Sequence, residues 1–126
     1  MTREIKFRAW DKLDNGMIAQ QDGISSSNGF VNVVEFYVGN EDHDLVLMQF
    51  TGLKDKNGVS IFEGDVVQSK NNHQFVIDYQ YGSFGATWLK DDSVWYSCAT
   101  SSFQEKEFIV IGNIYKNPEL STLNKN

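Results

Sequence analysis

Residues Leu45 to Val67, LVLMQFTGLKDKNGVSIFEGDVV, decide the fold. Side chains on a strand alternate, so Leu45, Leu47 and Gln49 fall on one face and Val46, Met48 and Phe50 on the other. Apolar residues on both faces predict a strand covered on two sides. Gly52 is expected to break the run. Asp55-Lys56-Asn57-Gly58 then reverses the chain, and Asn57-Gly58 is the strongest short signal for a turn that needs positive φ. Ile61-Phe62 follows, Glu63-Gly64-Asp65 turns again, and Val66-Val67 resumes an extended run. Asp65 reads as a turn residue whose carboxylate accepts nearby backbone N–H groups, ahead of a reading as a site carboxylate. The block is scaffold and holds no catalytic motif.

Toward the N-terminus, Ile5, Phe7 and Ala9 alternate with Lys6, Arg8 and Trp10, the period-two pattern of a half-buried strand. Asp14-Asn15-Gly16 is a hairpin signal, and Met17-Ile18-Ala19 reads as the return strand. Such a hairpin is marginal alone in water and needs a surface to pack on, in its own chain or a neighbouring subunit. Gln20 to Asn28 reads as a polar surface loop. Phe30 to Val38, FVNVVEFYV, is apolar and β-branched enough for another strand.

Toward the C-terminus, Gln74 to Gln80 alternates, Tyr81-Gly82 turns the chain, and Phe84 to Lys90 returns. Asp91-Asp92-Ser93 makes another turn before Val94 to Cys98. Thr100 to Lys106 has room for one helical turn. Phe108 to Ile111 is a strand buried on both faces, interrupted by Gly112-Asn113 before Ile114-Tyr115, and Pro118 stops it. Roughly eight short strands with frequent turns predict a mainly β protein with little helix. The expected architecture is a small SH3-like barrel over residues 46–117. An N-terminal β-hairpin and strand extension occupies 1–45, 118–126 form a tail, and the whole makes one compact unit.

Composition narrows the function classes. Hydrophobic residues at 40 % and aromatics at 13 % exclude a disordered chain. The single Cys98 excludes an intramolecular disulfide, in keeping with a reducing cytoplasm. No apolar segment approaches the roughly 20 residues of a membrane helix. MTREIKFRAW is not followed by the apolar core of a signal peptide. Net charge is −6; Arg3, Lys6, Arg8 and Lys12 against Glu4 and Asp11 give the first twelve residues +2, leaving −8 elsewhere. That balance opposes general nucleic-acid binding, which needs cations against phosphates.

Three fragments, REIKFRAWDK, LMQFTGLKDKNG with IFEGDVV, and VIGNIYKNPEL, together resemble the YopX family of phage and prophage proteins. They lie in the family's order and cover under half the chain; residues 20–44 and 68–106 carry no such likeness. The resemblance implies a phage or prophage protein in a bacterial cytoplasm, a β-rich SH3-like barrel and a homo-oligomer. The matched positions Gly52, Gly58, Gly64 and Gly112 are turn and core positions, and none is catalytic. It implies a provenance rather than a mechanism.

The leading functional expectation is a non-enzymatic module that self-assembles or binds a host or phage protein, carried by Trp10, Tyr37, Trp95 and Tyr96 on polar strand faces. The alternative is a nucleic-acid-binding barrel using Arg3, Lys6, Arg8 and Trp10. An enzyme would need convergent groups, and Glu63, Asp65 and Asp78 are scattered carboxylates. His43 lies among acids in GNEDHD, but adjacent residues do not point at one centre and His73 is remote, so no metal or cofactor is expected. Structural turn positions are Gly16, Gly52, Gly58, Gly64, Asp65 and Gly112.

Overall fold

The computed structural model describes residues 5–18, 26–27, 30–31 and 45–120, with 26–27 and 30–31 described by their backbone alone. The protein is mainly β with little helix, its strands in antiparallel sheets, and the chain divides into two units, Met1–Phe50 and Thr51–Asn126. Gly39 to Asp44 with His43, the extension of FVNVVEFYV beyond Val31, and the tail after Leu120 lie outside the described residues.

In the first unit, β1 (Phe7–Asp11) lies between β2 (Gly16–Ile18) and the opening of β5 (Leu45–Lys54). Trp10 faces Met17 on one side and Val46 on the other. Asn15 takes a positive φ of 52°, and the Asp11 carboxylate accepts the N–H groups of Leu13 and Asp14 at 3.0 and 3.2 Å, which closes the β1–β2 turn. Ala9, Trp10, Met48 and Phe50 are buried. Inside the expected loop Gln20 to Asn28, β3 (Ser26–Ser27) forms and pairs antiparallel with β4 (Phe30–Val31), which opens the expected strand.

Strand β5 does not end at Gly52. It continues to Lys54 because Gly52 adopts φ +90°, which glycine alone takes without strain. The neighbouring Thr51 hydroxyl then donates to the Ile61 carbonyl at 2.8 Å and accepts the Leu53 N–H at 3.1 Å. In the second unit the end of β5 neighbours β6 (Ser60–Phe62). A five-stranded antiparallel sheet follows in the order β10-β9-β8-β7-β11. Its members are β7 (Asp65–Gln68), β8 (Gln74–Gln80), β9 (Ser83–Trp88), β10 (Trp95–Ser97) and β11 (Ile109–Asn113). Between β10 and β11 the chain makes the short helix α1 (Ser101–Glu105).

Helix α1 buries Phe103 and ends at Glu105 with Lys106 as its C-cap, and Glu107, with φ of 51°, turns the chain out of helical geometry. Ile61, Val67, Phe75, Ile77, Ala86, Phe103 and Phe108 form the second unit's core, all 4 % exposed or less. Phe108 meets Phe75 edge-on at 5.2 Å and Phe103 at 4.9 Å. Each such buried ring contributes about 2 kcal/mol relative to exposure. Gly112 sits inside β11 at a bulge, where a Cβ would come within 2.5 Å of the Asn117 side-chain oxygen.

Candidate functional site

The β8–β9 hairpin turns through two residues, Tyr81 and Gly82, with Gln80 paired to Ser83. Both turn residues have positive φ, 54° and 77°. That is the signature of a type I′ turn, which favours Asn-Gly. A bulky tyrosine at positive φ is strained. Its ring gains nothing by burial, being 88 % exposed.

The register assigns the hairpin's two faces. Phe75, Ile77, Ala86 and Trp88 point to the core, while Val76, Asp78, Gly85 and Thr87 point away from it, together with Trp95 and Ser97 of β10. On this outward face Asp78 is the hub. Its carboxylate accepts the Trp95 indole N–H at 2.8 Å, the Thr87 hydroxyl at 2.5 Å and the Gln80 amide at 2.9 Å. Opposite Asp78 in the register stands Gly85, and any Cβ there would collide with the indole. Glycine thus makes the seat and aspartate the clasp. Tyr81 closes the arrangement, its ring 5.4 Å from that of Trp95 and at 70° to it. On the hairpin's other face Tyr79, 55 % exposed, meets Phe84 edge-on at 5.0 Å. The hairpin end is therefore aromatic on both faces.

Cys98, next to β10, packs against the core. Burial, and then the charge of Asp78, push its thiol up to about 12, so it stays protonated at neutral pH.

Residues 6–121 match the model of the family described as YopX protein. The chain belongs to the YopX family. The match runs through 68–106, where the sequence alone carries no legible likeness and where the aromatic corner lies. A crystal structure of protein EF1440 from Enterococcus faecalis is similar, with 28 % identity, a TM-score of 0.61, and coverage of 95 % of this chain and 99 % of that one. No curated protein matches the chain.

In this YopX protein the described residues singled out by sequence fall in both units. Lys6 Nζ lies 4.5 Å from the centroid of the Phe50 ring, and Arg8 Nη2 donates to Met48 Sδ at 3.6 Å. Trp10 is 7 % exposed, and Arg3 and Tyr37 lie outside the described residues. Tyr96 points inward, edge-on to Phe75 at 5.9 Å. Gly16 pairs with Asp11, while Gly58 and Gly64 turn with φ of 85°. Asp65 is buried and accepts the Phe62 N–H at 2.8 Å. His73 lies against Trp88, ring centroids 5.2 Å apart. Among the described residues no three His, Cys, Asp or Glu side chains gather as metal ligands, and no helix is long and apolar enough to cross a membrane.

A shallow groove of about 280 Å3 is floored by Leu53, Ile61, Phe103 and Phe108. Its one buried acid, Asp55, is occupied: the carboxylate accepts the N–H groups of Asn57 and Val59 at 2.8 Å and of Val110 at 2.9 Å. Burial acts to raise the Asp55 carboxyl, but the backbone N–H groups of Val110, Val59, Asn57 and Gly58 outweigh it and hold the group below its ordinary value. Such an acid ties chain segments together and offers no proton near neutral pH.

Sequence reasoning missed Tyr79, Tyr81 and Phe84. A signal existed: Tyr81-Gly82 puts an aromatic where a type I′ turn prefers Asn or Asp.

Proposed function

We propose that this YopX protein is a non-enzymatic interaction and self-assembly module of a phage or prophage, built on an SH3-like barrel and working in the bacterial cytoplasm against a host or phage protein. One observation carries the reading: a strained, 88 % exposed Tyr81 set against a clasped Trp95. Tyr and Trp dominate binding hot spots because they bring large rigid area at low entropic cost. The acids of the second unit fit the same reading, since Asp55, Asp65 and Asp78 are engaged as hydrogen-bond acceptors within the fold. Nucleic acid is the poorer fit, because the net charge is −6 and Lys6 and Arg8 lie against Phe50 and Met48.

The test is affinity purification of tagged protein from the phage-carrying host beside a Tyr81→Asn form, with native mass measured on both. A partner or oligomer formed by the parent and lost from Tyr81→Asn is expected. A strict monomer that recovers no partner, or a variant that recovers the same partners equally, would overturn the proposal.

A further inference from the structure

Among the described residues the rings of Phe50, Phe75 and Tyr96 have a lysine ammonium over them. Lys106 Nζ stands 3.9 Å from the Tyr96 centroid, and Lys6 Nζ 4.5 Å from that of Phe50. Among the described residues no cation stands over Tyr81 or Trp95. The chemistry of their corner nevertheless suits one. The three hydrogen-bond donors to Asp78, from Trp95, Thr87 and Gln80, are all neutral, so none of them balances the carboxylate's charge. From Gln74 to Trp88 the chain contains Asp78 and neither lysine nor arginine. A carboxylate that accepts the indole N–H also pushes electron density into the ring, deepening the negative potential over its face. Trp95 and Tyr81 meet edge to face, ring centroids 5.4 Å apart and at 70°, and the Tyr81 ring is open to solvent beside the indole. An exposed aromatic face beside an acid attracts a cation, and indole is the best of the rings for it.

We infer that the corner, taken as the interaction surface proposed above, receives an arginine side chain of a partner protein, its guanidinium against Trp95 and Tyr81 and drawn by Asp78. Guanidinium fits better than ammonium because it is planar, stacks on aromatic faces and is weakly hydrated. The protein's overall charge of −6 favours the approach of a basic segment.

The probe is a short diarginine peptide and its citrulline counterpart, which keeps the shape and loses the charge. Both are titrated into the full chain while the indole N–H resonance of Trp95, assigned by its loss in Trp95→Phe, is followed by NMR. The arginine peptide is expected to move that resonance and to bind about five- to tenfold more tightly than the citrulline peptide. Tyr81→Asn, which leaves net charge untouched, is expected to bring arginine binding down to the citrulline level. Equal binding of the two peptides, no movement with either, or full arginine binding by Tyr81→Asn would each overturn the inference. A general attraction to an acidic protein would survive Tyr81→Asn, so the variant separates it from the aromatic site. If the peptides fail while Tyr81→Asn still loses its partner from the host lysate, the surface stands and its cationic ligand falls. If the variant keeps the partner as well, both fall.

Discussion

Asp55 and Asp78 are both acids drawn into the second unit, and they are held by opposite kinds of donor. Asp55 accepts from backbone N–H groups, two in its own turn and one at Val110, fifty-five residues away. Asp78 accepts from the side chains of Trp95, Thr87 and Gln80. The first arrangement caps an N–H of β11, whose other neighbour is β7, and fixes the β5–β6 turn. The second fixes no backbone group. It sets the orientation of an indole beside an exposed tyrosine. The donors to a sequestered acid thus distinguish an acid that ties the chain together from one that presents a side chain.

The largest test of that contrast is Asp55→Ala. It strands the N–H groups of Asn57, Val59 and Val110 at once, and buried donors left unpaired cost about 1–3 kcal/mol each before water reaches them. A loss of about 3 kcal/mol in denaturant unfolding is expected. A loss under about 1 kcal/mol would mean that the backbone holds the turn and β11 without it.

Gly85→Ala ranks next. The added methyl collides with the indole, so Trp95 must swing and release Asp78, or the strand must shift. Overpacking of this kind costs about 1–3 kcal/mol, and the Trp95 indole N–H resonance should move toward that of a water-exposed tryptophan. An unchanged resonance would show that the seat is looser than its geometry.

A smaller effect reads the hold on Asp55 by pH. The Asp55 carboxyl lies below its ordinary value of 3.8 in the folded protein, so the unfolded chain binds its proton first on acidification. Its stabilisation is complete above that value and is lost as pH falls below 3.8 toward the folded-state value. Asp55→Asn should therefore flatten the acid side of the stability curve below about pH 4. An acid limb as steep as the parent's would assign that dependence to other carboxylates.

Sequence made the scaffold legible because turns and strands are local. Asp14-Asn15-Gly16, Asn57-Gly58 and Glu63-Gly64 turn where the residue types demand, and alternation in Gln74 to Gln80 marks the strand that feeds the core. Gly52 misled, since a glycine at positive φ can let a strand continue as well as end it. The site was hidden for a different reason. Trp95 meets Asp78 seventeen residues away and rests on Gly85, and only the β8–β9–β10 register puts them together. Periodicity identifies the outward face of a strand but not the residue across from it, so Tyr96 and Trp95 looked equivalent when one points inward and the other out.

The smallest effect is the most telling, because it reverses sign. Tyr81 holds a left-handed conformation that costs a non-glycine residue on the order of 1 kcal/mol, whereas asparagine suits the first position of a type I′ turn. Tyr81→Asn also gives up the edge contact with Trp95, but a ring 88 % exposed has little burial to lose, so that contact contributes about 0.5 kcal/mol. Strain relief is the larger of the two, and a net gain of about 0.5 kcal/mol is expected. Tyr81→Ala loses the same contact and keeps the strain, so it should fall below the parent. Loss of binding in both variants, with stability moving in opposite directions, would mean that the tyrosine is kept for what it meets outside the fold. If Tyr81→Asn is less stable than Tyr81→Ala, the ring is part of the hairpin's own support, and the contrast between Asp55 and Asp78 narrows to one of degree.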